Sequence, residues 1–390
     1  MREKTTGTHA GRQLGLAGEV DRKRAPGLGE LWHLVGFDYV TAINLACIVI
    51  VLASAASMFL LARLYFGDAG GWLGAAAYLY VPYFSVDLFV RSAIEEFAAF
   101  PLLALAVYGF GAYAKLGKRK YWLIGVGTYA TILVCHFPAA LLFTPLLIEF
   151  LVFTGWMEGS WTVLWRQAVG FVLALGLSAF IWLPALTERQ YVRVDRLLQG
   201  AGKYTNHFLY LNQLFYSPWG YGLSVPGPAD GMSFALGWSH VLLAILVWVW
   251  ISRNPKLGDR RLFSFFGVAA VLCFLTLRDA LWIWEQITLL QYVEFPWRFL
   301  GPVALCFALL VAPLGMLLAS MPRWRVCGMT AAMALLIAPN LSHLHAPNSG
   351  CGPAILDAPA AGDERIRIHD QRRSDAPVDH QYAGVQPRRS

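Results

Sequence analysis

Apolar stretches of roughly 17 to 25 residues recur along this chain, and its charged residues lie mostly between them. A helix needs about 20 apolar residues to cross about 30 Å of hydrocarbon, where its backbone polar groups must be satisfied internally. Only 14% of the residues are charged, against about a quarter in an ordinary soluble domain. The pattern predicts an all-α protein, a polytopic transmembrane helix bundle.

About ten membrane segments are predicted, with the following approximate bounds: 40–63, 70–86, 97–114, 121–136, 138–156, 167–186, 236–252, 262–277, 299–320 and 324–340. This division predicts a transmembrane domain at 40–340. Residues 1–39 form a polar N-terminal segment. Residues 341–390 form a polar tail without apolar periodicity, which predicts disorder.

Lysine and arginine residues predict the orientation, because short basic connections stay on the cytoplasmic side. Such connections lie at 115–120, 253–261 and 323–325. Alternation then predicts four extracytoplasmic regions: 84–96, the turn near His136, the long loop 187–235, and 278–298. It also puts 1–39 outside, although that segment carries six basic residues. We therefore expect a fragment that lacks an upstream span, or a non-native start; a miscounted span is the alternative.

Two of the predicted outer regions combine carboxylates with a guanidinium. In "FSVDLFVRSAIEE", Asp87, Arg91 and Glu95 are four residues apart and would share one face of a helix. In "YVEFPWRFL", Glu294 and Arg298 flank the start of the ninth segment. An ion-pair ladder and an interfacial anchor are the structural alternatives. The functional hypothesis is one outer cavity that these groups share, since charges at the bilayer edge are costly unless paired or solvated.

The long loop carries a third basic group, because Arg189, Arg193 and Arg196 recur at helical spacing. Guanidinium groups match phosphate oxygens in a bidentate manner, so a lipid-borne phosphate is the functional reading and a phospholipid headgroup contact is the structural one. His136 is a structural hydrogen-bonding residue or a catalytic one. Glu149 lies inside an apolar span, where acidic residues are expensive and often functional.

Other classes of function find little support in the sequence. The net charge of +7 fits basic connections at a membrane better than nucleic-acid binding, so no nucleic-acid partner is predicted. No CxxC pair occurs, and His343-x-His345 lacks a third ligand. No metal site and no cofactor are predicted; a divalent metal stays an open alternative.

Four stretches carry a family resemblance: "DYVTAINLACIVIVLASAASMFLLARLYFG", "AAAYLYVPYFSVDLFVRSAIEEFAAFPLLALAVYG", "CHFPAALLFTPLL" and "YVEFPWRFL". In this order they resemble bacterial 6-pyruvoyl-tetrahydropterin synthase-related multi-pass membrane proteins. That family in turn resembles the glycosyltransferase C superfamily, whose members take sugar from a polyprenyl-phosphate donor at the extracytoplasmic face. Those enzymes commonly keep an acidic residue in the loop after the first span, and residues 1–39 do not resemble that loop.

The resemblance implies a membrane glycosyltransferase-like protein of the bacterial inner or plasma membrane, acting in cell-envelope glycan assembly. Its expected partners are the lipid bilayer, a polyprenyl-phosphate sugar and a glycan or lipid acceptor. A base and phosphate-binding cations are then needed. The candidate bases are Asp87, Glu95 and Glu294. The candidate phosphate ligands are Arg91, Arg298, Arg189, Arg193 and Arg196. The alternatives are a transporter or lipid flippase that depends on Glu149, and a non-catalytic membrane scaffold.

Overall fold

The computed structural model describes residues 28–188, 202–254 and 260–344. Within these ranges the only β-pairing is an isolated bridge between Leu209 and Leu277. The helices are α1 (Leu28–Leu34), α2 (Tyr39–Leu79), α3 (Pro82–Ser85), α4 (Ile94–Leu116), α5 (Arg119–Cys135), α6 (Phe137–Met157), α7 (Trp161–Leu177), α8 (Ala179–Thr187), α9 (Leu211–Phe215), α10 (Trp238–Arg253), α11 (Arg261–Thr276), α12 (Leu281–Gln286), α13 (Thr288–Gln291), α14 (Leu300–Val311), α15 (Pro313–Ala319) and α16 (Arg325–Ile337). The prediction of an all-α, multi-pass membrane protein is confirmed.

Each predicted membrane segment falls on helical residues, but the helices differ in length. Five helical stretches in the described ranges are long and apolar enough to cross a membrane: Tyr39–Leu79, Ile94–Leu116, Phe137–Met157, Pro296–Ala319 and Arg325–His343. Helices α7, α10 and α11 are apolar but shorter. The number of spans therefore stays a prediction, as do the domain bounds.

Helix α2 reverses direction near its middle, at Gly67. That residue has φ 70° and ψ −176°, a backbone conformation that a Cβ atom disfavours. The second half of α2 then packs back on the first, and the rings of Phe59 and Trp72 lie 4.9 Å apart. This reversal accounts for the two separate segments predicted at 40–63 and 70–86.

Helix α14 forms the centre of the bundle. Its residues are apolar on every side, and all but Phe307 are buried. A helix that is hydrophobic all round is stable only when other helices surround it, and α14 contacts α2, α4, α6, α10 and α11. The preceding segment Pro296–Phe299, a single 3₁₀ turn, lies at one end of this central helix.

Connections pack against one another in two separate groups within the described ranges. At one end, Phe234 packs 5.3 Å from Trp297, and His207 packs 4.6 Å from Phe295. At the other end, Arg261 pairs with Glu158 at 2.9 Å. The first set contains the regions predicted to be extracytoplasmic, and the second lies beside the basic connections. Which side of a membrane each end faces stays a prediction.

Helices α4 and α5 pack closely because glycine replaces a side chain at their contact. A Cβ atom at Gly109 would lie 2.4 Å from the backbone nitrogen of Gly125 and 2.9 Å from the carbonyl oxygen of Tyr121. Small residues at such contacts let helix backbones approach in a membrane, where dispersion rather than hydrophobic burial drives association. This contact fixes the position of α4, whose first turn carries Glu95 and Glu96.

We expect Gly109→Ala to lower the melting temperature of the detergent-solubilised protein, because the added methyl group meets backbone atoms that cannot rotate away. The matched control is Gly127→Ala, in the neighbouring helix, where an added Cβ meets nothing within 4 Å. The control should melt at or slightly above the wild-type temperature because alanine favours helix. Equal melting temperatures for the two variants would contradict the close approach of α4 and α5.

Candidate functional site

The segment after α2 departs from regular helical geometry where it carries its charged residues. Helix α3 widens into a π-helical turn at Val86–Val90, and Ser92 follows with φ 50°. Single π-helical turns are rare and often occur at functional sites. In this protein the wider turn directs the side chain of Asp87 inward, where it is fully buried.

Arg91 connects the acidic groups of this region. Its guanidinium donates to the Oδ1 atom of Asp87, to Oε2 of Glu96 at 2.8 Å and to the hydroxyl oxygen of Tyr83 at 3.2 Å. The Tyr83 hydroxyl in turn donates to Oε1 of Glu96 at 2.8 Å. The four side chains are each more than nine-tenths buried, so charge-assisted hydrogen bonds are needed to offset the cost of desolvation.

Arg298 reaches the same carboxylate from the other motif. Its Nε atom lies 3.2 Å from Oε2 of Glu96, close enough for an ion pair although the N–H group is not aligned for a hydrogen bond. Its Nη1 group donates to the carbonyl oxygen of Val293 at 3.2 Å. The two motifs predicted to share one outer site therefore do meet, and Glu96 is the group that joins them.

We call Tyr83, Asp87, Arg91, Glu96 and Arg298 the outer charge cluster. Trp297 lies beneath it, with the Arg91 guanidinium carbon 4.5 Å from the centre of the Trp297 ring. A cation over an indole face is attracted by the ring quadrupole, more strongly when both are desolvated. Trp297 is only 2% exposed, so neighbouring side chains of the protein enclose it.

Glu95 and Glu294 lie outside the ion pairs of the cluster. Glu95 is exposed, and Glu96 occupies the inward position that was expected for Glu95. The expectation assumed one regular helix from Asp87 to Glu95, but the π-helical turn and the positive φ of Ser92 interrupt that helix. Glu294 has φ 66° and forms no ion pair with Arg298, so the local pair expected there is absent.

Arg189, Arg193 and Arg196 lie outside the described residues, and their proposed phosphate contacts stay a prediction. The adjacent "EE" in the sequence is the one signal that could have suggested Glu96. Nothing in the sequence marks Tyr83 as its hydroxyl partner, since the two lie 13 residues apart on different elements.

Two backbone strains flank the cluster. Ser92 and Glu294 are the non-glycine residues with positive φ within the described ranges, and each lies next to or near one of the two arginines. Such conformations cost on the order of 1 kcal/mol and persist where surrounding contacts impose them. Strain in both motifs indicates that tertiary contacts impose these backbone conformations beside the charged groups, at a cost in conformational free energy.

The cluster combines two guanidinium groups with two carboxyl groups. Burial, and then the neighbouring Glu96 carboxylate, raises the pKa of Asp87 well above its ordinary value, although Arg91 opposes the shift. Glu96 is the carboxylate that both guanidinium groups share. The Oδ2 atom of Asp87 and the Nε1 atom of Trp297 are buried without a hydrogen-bond partner in the described part of the chain.

His136 joins this end of the bundle between α5 and α6. Its Nδ1 atom accepts a hydrogen bond from the backbone N–H of Ala139 at 3.1 Å and so caps α6. Burial lowers the pKa of His136 to about 4; Glu96 opposes this shift, and Arg298 and Arg91 add to it. The imidazole is therefore neutral at pH 7, with its proton on Nε2.

Glu149 lies in α6 at a distance from the outer charge cluster. Its Oε1 atom accepts a hydrogen bond from the hydroxyl of Ser264 in α11, and its Oε2 atom is buried without a partner among the described residues. No group of three or more histidine, cysteine, aspartate or glutamate residues that could hold a metal ion occurs in the described ranges.

The family model described as dolichyl-phosphate-mannose-protein mannosyltransferase matches residues 30–182, which is less than half of the chain. The matched region contains Asp87, Arg91, Glu96 and His136 but ends before Arg298. Curated proteins and solved structures provide no match. This similarity supports a membrane glycosyltransferase of the glycosyltransferase C type, and the pterin synthase-related part of the resemblance finds no support.

We expect Glu96→Gln to destabilise the protein on the order of 3 kcal/mol, because it removes the one carboxylate that pairs with both buried guanidinium groups. Glu95→Gln is the matched control, one residue away and exposed, and should change the free energy of unfolding by less than about 0.5 kcal/mol. Chemical denaturation in detergent measures both. Similar losses in the two variants would contradict the pairing of Glu96 with both arginines.

The pKa of His136 predicts a pH dependence of stability. Between pH 6.5 and about 4 the unfolded chain binds a proton at His136 that the folded protein does not, so stability falls as the pH falls through this window. His136→Asn keeps the cap, because asparagine is a favoured N-cap residue, and removes the titrating ring. The melting temperature of the wild type should fall more steeply over this range than that of the variant. Parallel curves would contradict the buried, neutral imidazole.

Proposed function

We propose that this protein is a membrane glycosyltransferase that takes sugar from a polyprenyl-phosphate donor at the extracytoplasmic face. The observation that carries the proposal is the outer charge cluster, in which two strained motifs hold Arg91 and Arg298 on one carboxylate. The partial family match adds support. Cell-envelope glycan assembly in a bacterial inner or plasma membrane is the proposed setting, with a glycan or lipid acceptor.

Arg298 is the proposed contact for the donor phosphate. Its side chain is 16% exposed, whereas that of Arg91 is 9% exposed and is surrounded by Asp87, Glu96 and Tyr83. A guanidinium offers five N–H donors in a fork that matches phosphate oxygens. Arg298 uses two of its nitrogens toward Glu96 and Val293 and keeps a further one for a ligand. Arg91 then acts as a positioning residue that holds Glu96.

Glu95 is the proposed base. A general base must reach the acceptor hydroxyl and be ionised, and Glu95 is exposed beside the cluster. Asp87 fits these conditions less well, because its side chain is fully buried and burial raises its pKa well above the ordinary value. Glu294, partly buried and near Arg298, is the second choice of base.

The proposed step is a displacement with inversion. The Glu95 carboxylate removes the proton of the acceptor hydroxyl as its oxygen attacks the anomeric carbon of the sugar. The bond from that carbon to the phosphate oxygen breaks, and the polyprenyl phosphate leaves with the electron pair. Cationic groups that stabilise charge on the leaving phosphate lower the barrier. No cofactor enters this step. If Arg189, Arg193 and Arg196 face the same region, they add to this charge stabilisation.

The test is incubation of the full chain in liposomes with labelled polyprenyl-phosphate sugars and an extract of envelope acceptors. Glu95→Gln should lower turnover at least 100-fold, because a positioned base contributes about 10² to 10⁴ in rate. Arg298→Gln should raise the donor KM. Glu285→Gln, an exposed carboxylate of the same outer region, is the control expected to leave turnover unchanged. Absence of turnover in the wild type with every donor would sink the proposal.

A transporter or lipid flippase is the second candidate, because Glu149 has a buried oxygen without a partner among the described residues. Intramembrane acids commonly mark transport pathways. Liposome flux that is lost in Glu149→Gln and kept in Glu95→Gln would favour this candidate. If the protein is a non-catalytic membrane scaffold, both variants should change its stability and neither turnover nor flux.

A further inference from the structure

We propose that His136 is a further ligand of the donor phosphate, and that its Nε2–H group donates a hydrogen bond to a phosphoryl oxygen held by Arg298. This inference rests on the proposed function and adds a binding residue to the same site. The arguments concern the position of the ring, its tautomer and the charge around it.

The position of His136 follows from the packing of α6. This helix begins at Phe137 and contacts both α4, which carries Glu96, and the turn Pro296–Phe299, which carries Arg298. His136 is therefore the residue at which the α5–α6 turn reaches the outer charge cluster.

The tautomer follows from the helix cap. Because Nδ1 accepts the N–H of Ala139 at 3.1 Å, the single proton of the neutral ring lies on Nε2. Nε2 forms no hydrogen bond with the described part of the chain, and the side chain is only partly buried. The cap thus turns a residue that could act as acid or base into a fixed hydrogen-bond donor aimed away from its own helix.

The chemistry of that N–H group suits an anionic phosphoryl oxygen, which both the phosphodiester donor and the departing polyprenyl phosphate carry. A neutral N–H group adds a hydrogen bond without adding a charge that would repel Arg91 and Arg298. Two guanidinium groups share the Glu96 carboxylate, and Arg298 is the more exposed of the two, so an anion is the ligand that this face of the cluster attracts. The Nε1–H group of Trp297 and the Oδ2 atom of Asp87 remain without partners among the described residues, which is consistent with a polar occupant at this place.

The experiment separates the cap from the ligand contact. Purified full chain in detergent is titrated with farnesyl phosphate, a short polyprenyl monophosphate, and binding is followed by isothermal calorimetry. His136→Asn retains a capping oxygen for the Ala139 N–H, but its amide ends short of the position of Nε2. We expect this variant to melt like the wild type and to bind the probe at least about tenfold more weakly, as expected for a lost hydrogen bond to a charged group.

Two controls make the result decisive. Ser160→Ala removes the hydroxyl that caps α7, which accepts the N–H of Val163 at 3.3 Å, and should lower the melting temperature without changing probe affinity. Arg298→Gln should abolish probe binding. Inorganic phosphate, titrated in parallel, distinguishes a lipid-linked phosphate from a free one: the probe whose affinity falls in His136→Asn is the one that His136 contacts.

Each of the other outcomes contradicts either the role of His136 or the proposed function. Unchanged affinity in His136→Asn, with binding lost in Arg298→Gln, overturns the role of His136 and leaves the proposed function intact. Affinity that falls only in step with melting temperature, as it would in a His136→Ala variant that acts through the cap, also overturns it. A wild type that binds neither probe overturns this inference and counts against the proposed function as well.

Discussion

The double ion pair of Glu96 is the interaction on which the rest of the outer site depends. One carboxylate, 7% exposed, lies 2.8 Å from Arg91 and 3.2 Å from Arg298, which come from motifs about two hundred residues apart in the chain. Each guanidinium alone would be costly to bury, and Glu96 is the one carboxylate that pairs with both of them. The loop after α2 and the entry to α14 are therefore held together by charge, whereas the body of the bundle is held by apolar packing.

The position of Glu96 depends in turn on close helix packing. Helix α4 lies against α5 through Gly109 and Gly125, with no room for a Cβ atom at the first of these. The same pair of helices leads to His136 at the next turn. A contact between two glycines in the middle of the bundle thus aligns the ion pairs and the capping histidine at its end. The ion pairs and the histidine cap can be disturbed separately. A methyl group at Gly109 disturbs both, whereas a change at Glu96 disturbs the ion pairs alone.

Burial sorts the acidic residues of the outer end by role. Asp87 is fully buried and paired with Arg91, Glu96 is buried and paired with two cations, and Glu95 is exposed. Three carboxyl groups within ten residues thus have three different environments. The proposed division into a buried acid, a positioning carboxylate and a reacting base follows from solvent access and neighbouring charge. The strain at Ser92 and Glu294 is the backbone cost of this arrangement.

The sequence by itself determined the class of protein, the helical segments and the two motifs that meet. Apolar stretches of helix length leave a chain few alternatives in a bilayer, because every backbone polar group must be paired within the segment. Their alternation also predicted which connections share an end of the bundle. Only the tertiary structure decided that Glu96, and not Glu95, faces Arg91 and Arg298. A π-helical turn at Val86–Val90 and a positive φ at Ser92 interrupt the regular helix. Glu96 therefore takes the inward position that regular helical spacing assigns to Glu95. That register depends on packing against α14 and Trp297, which are distant in the sequence.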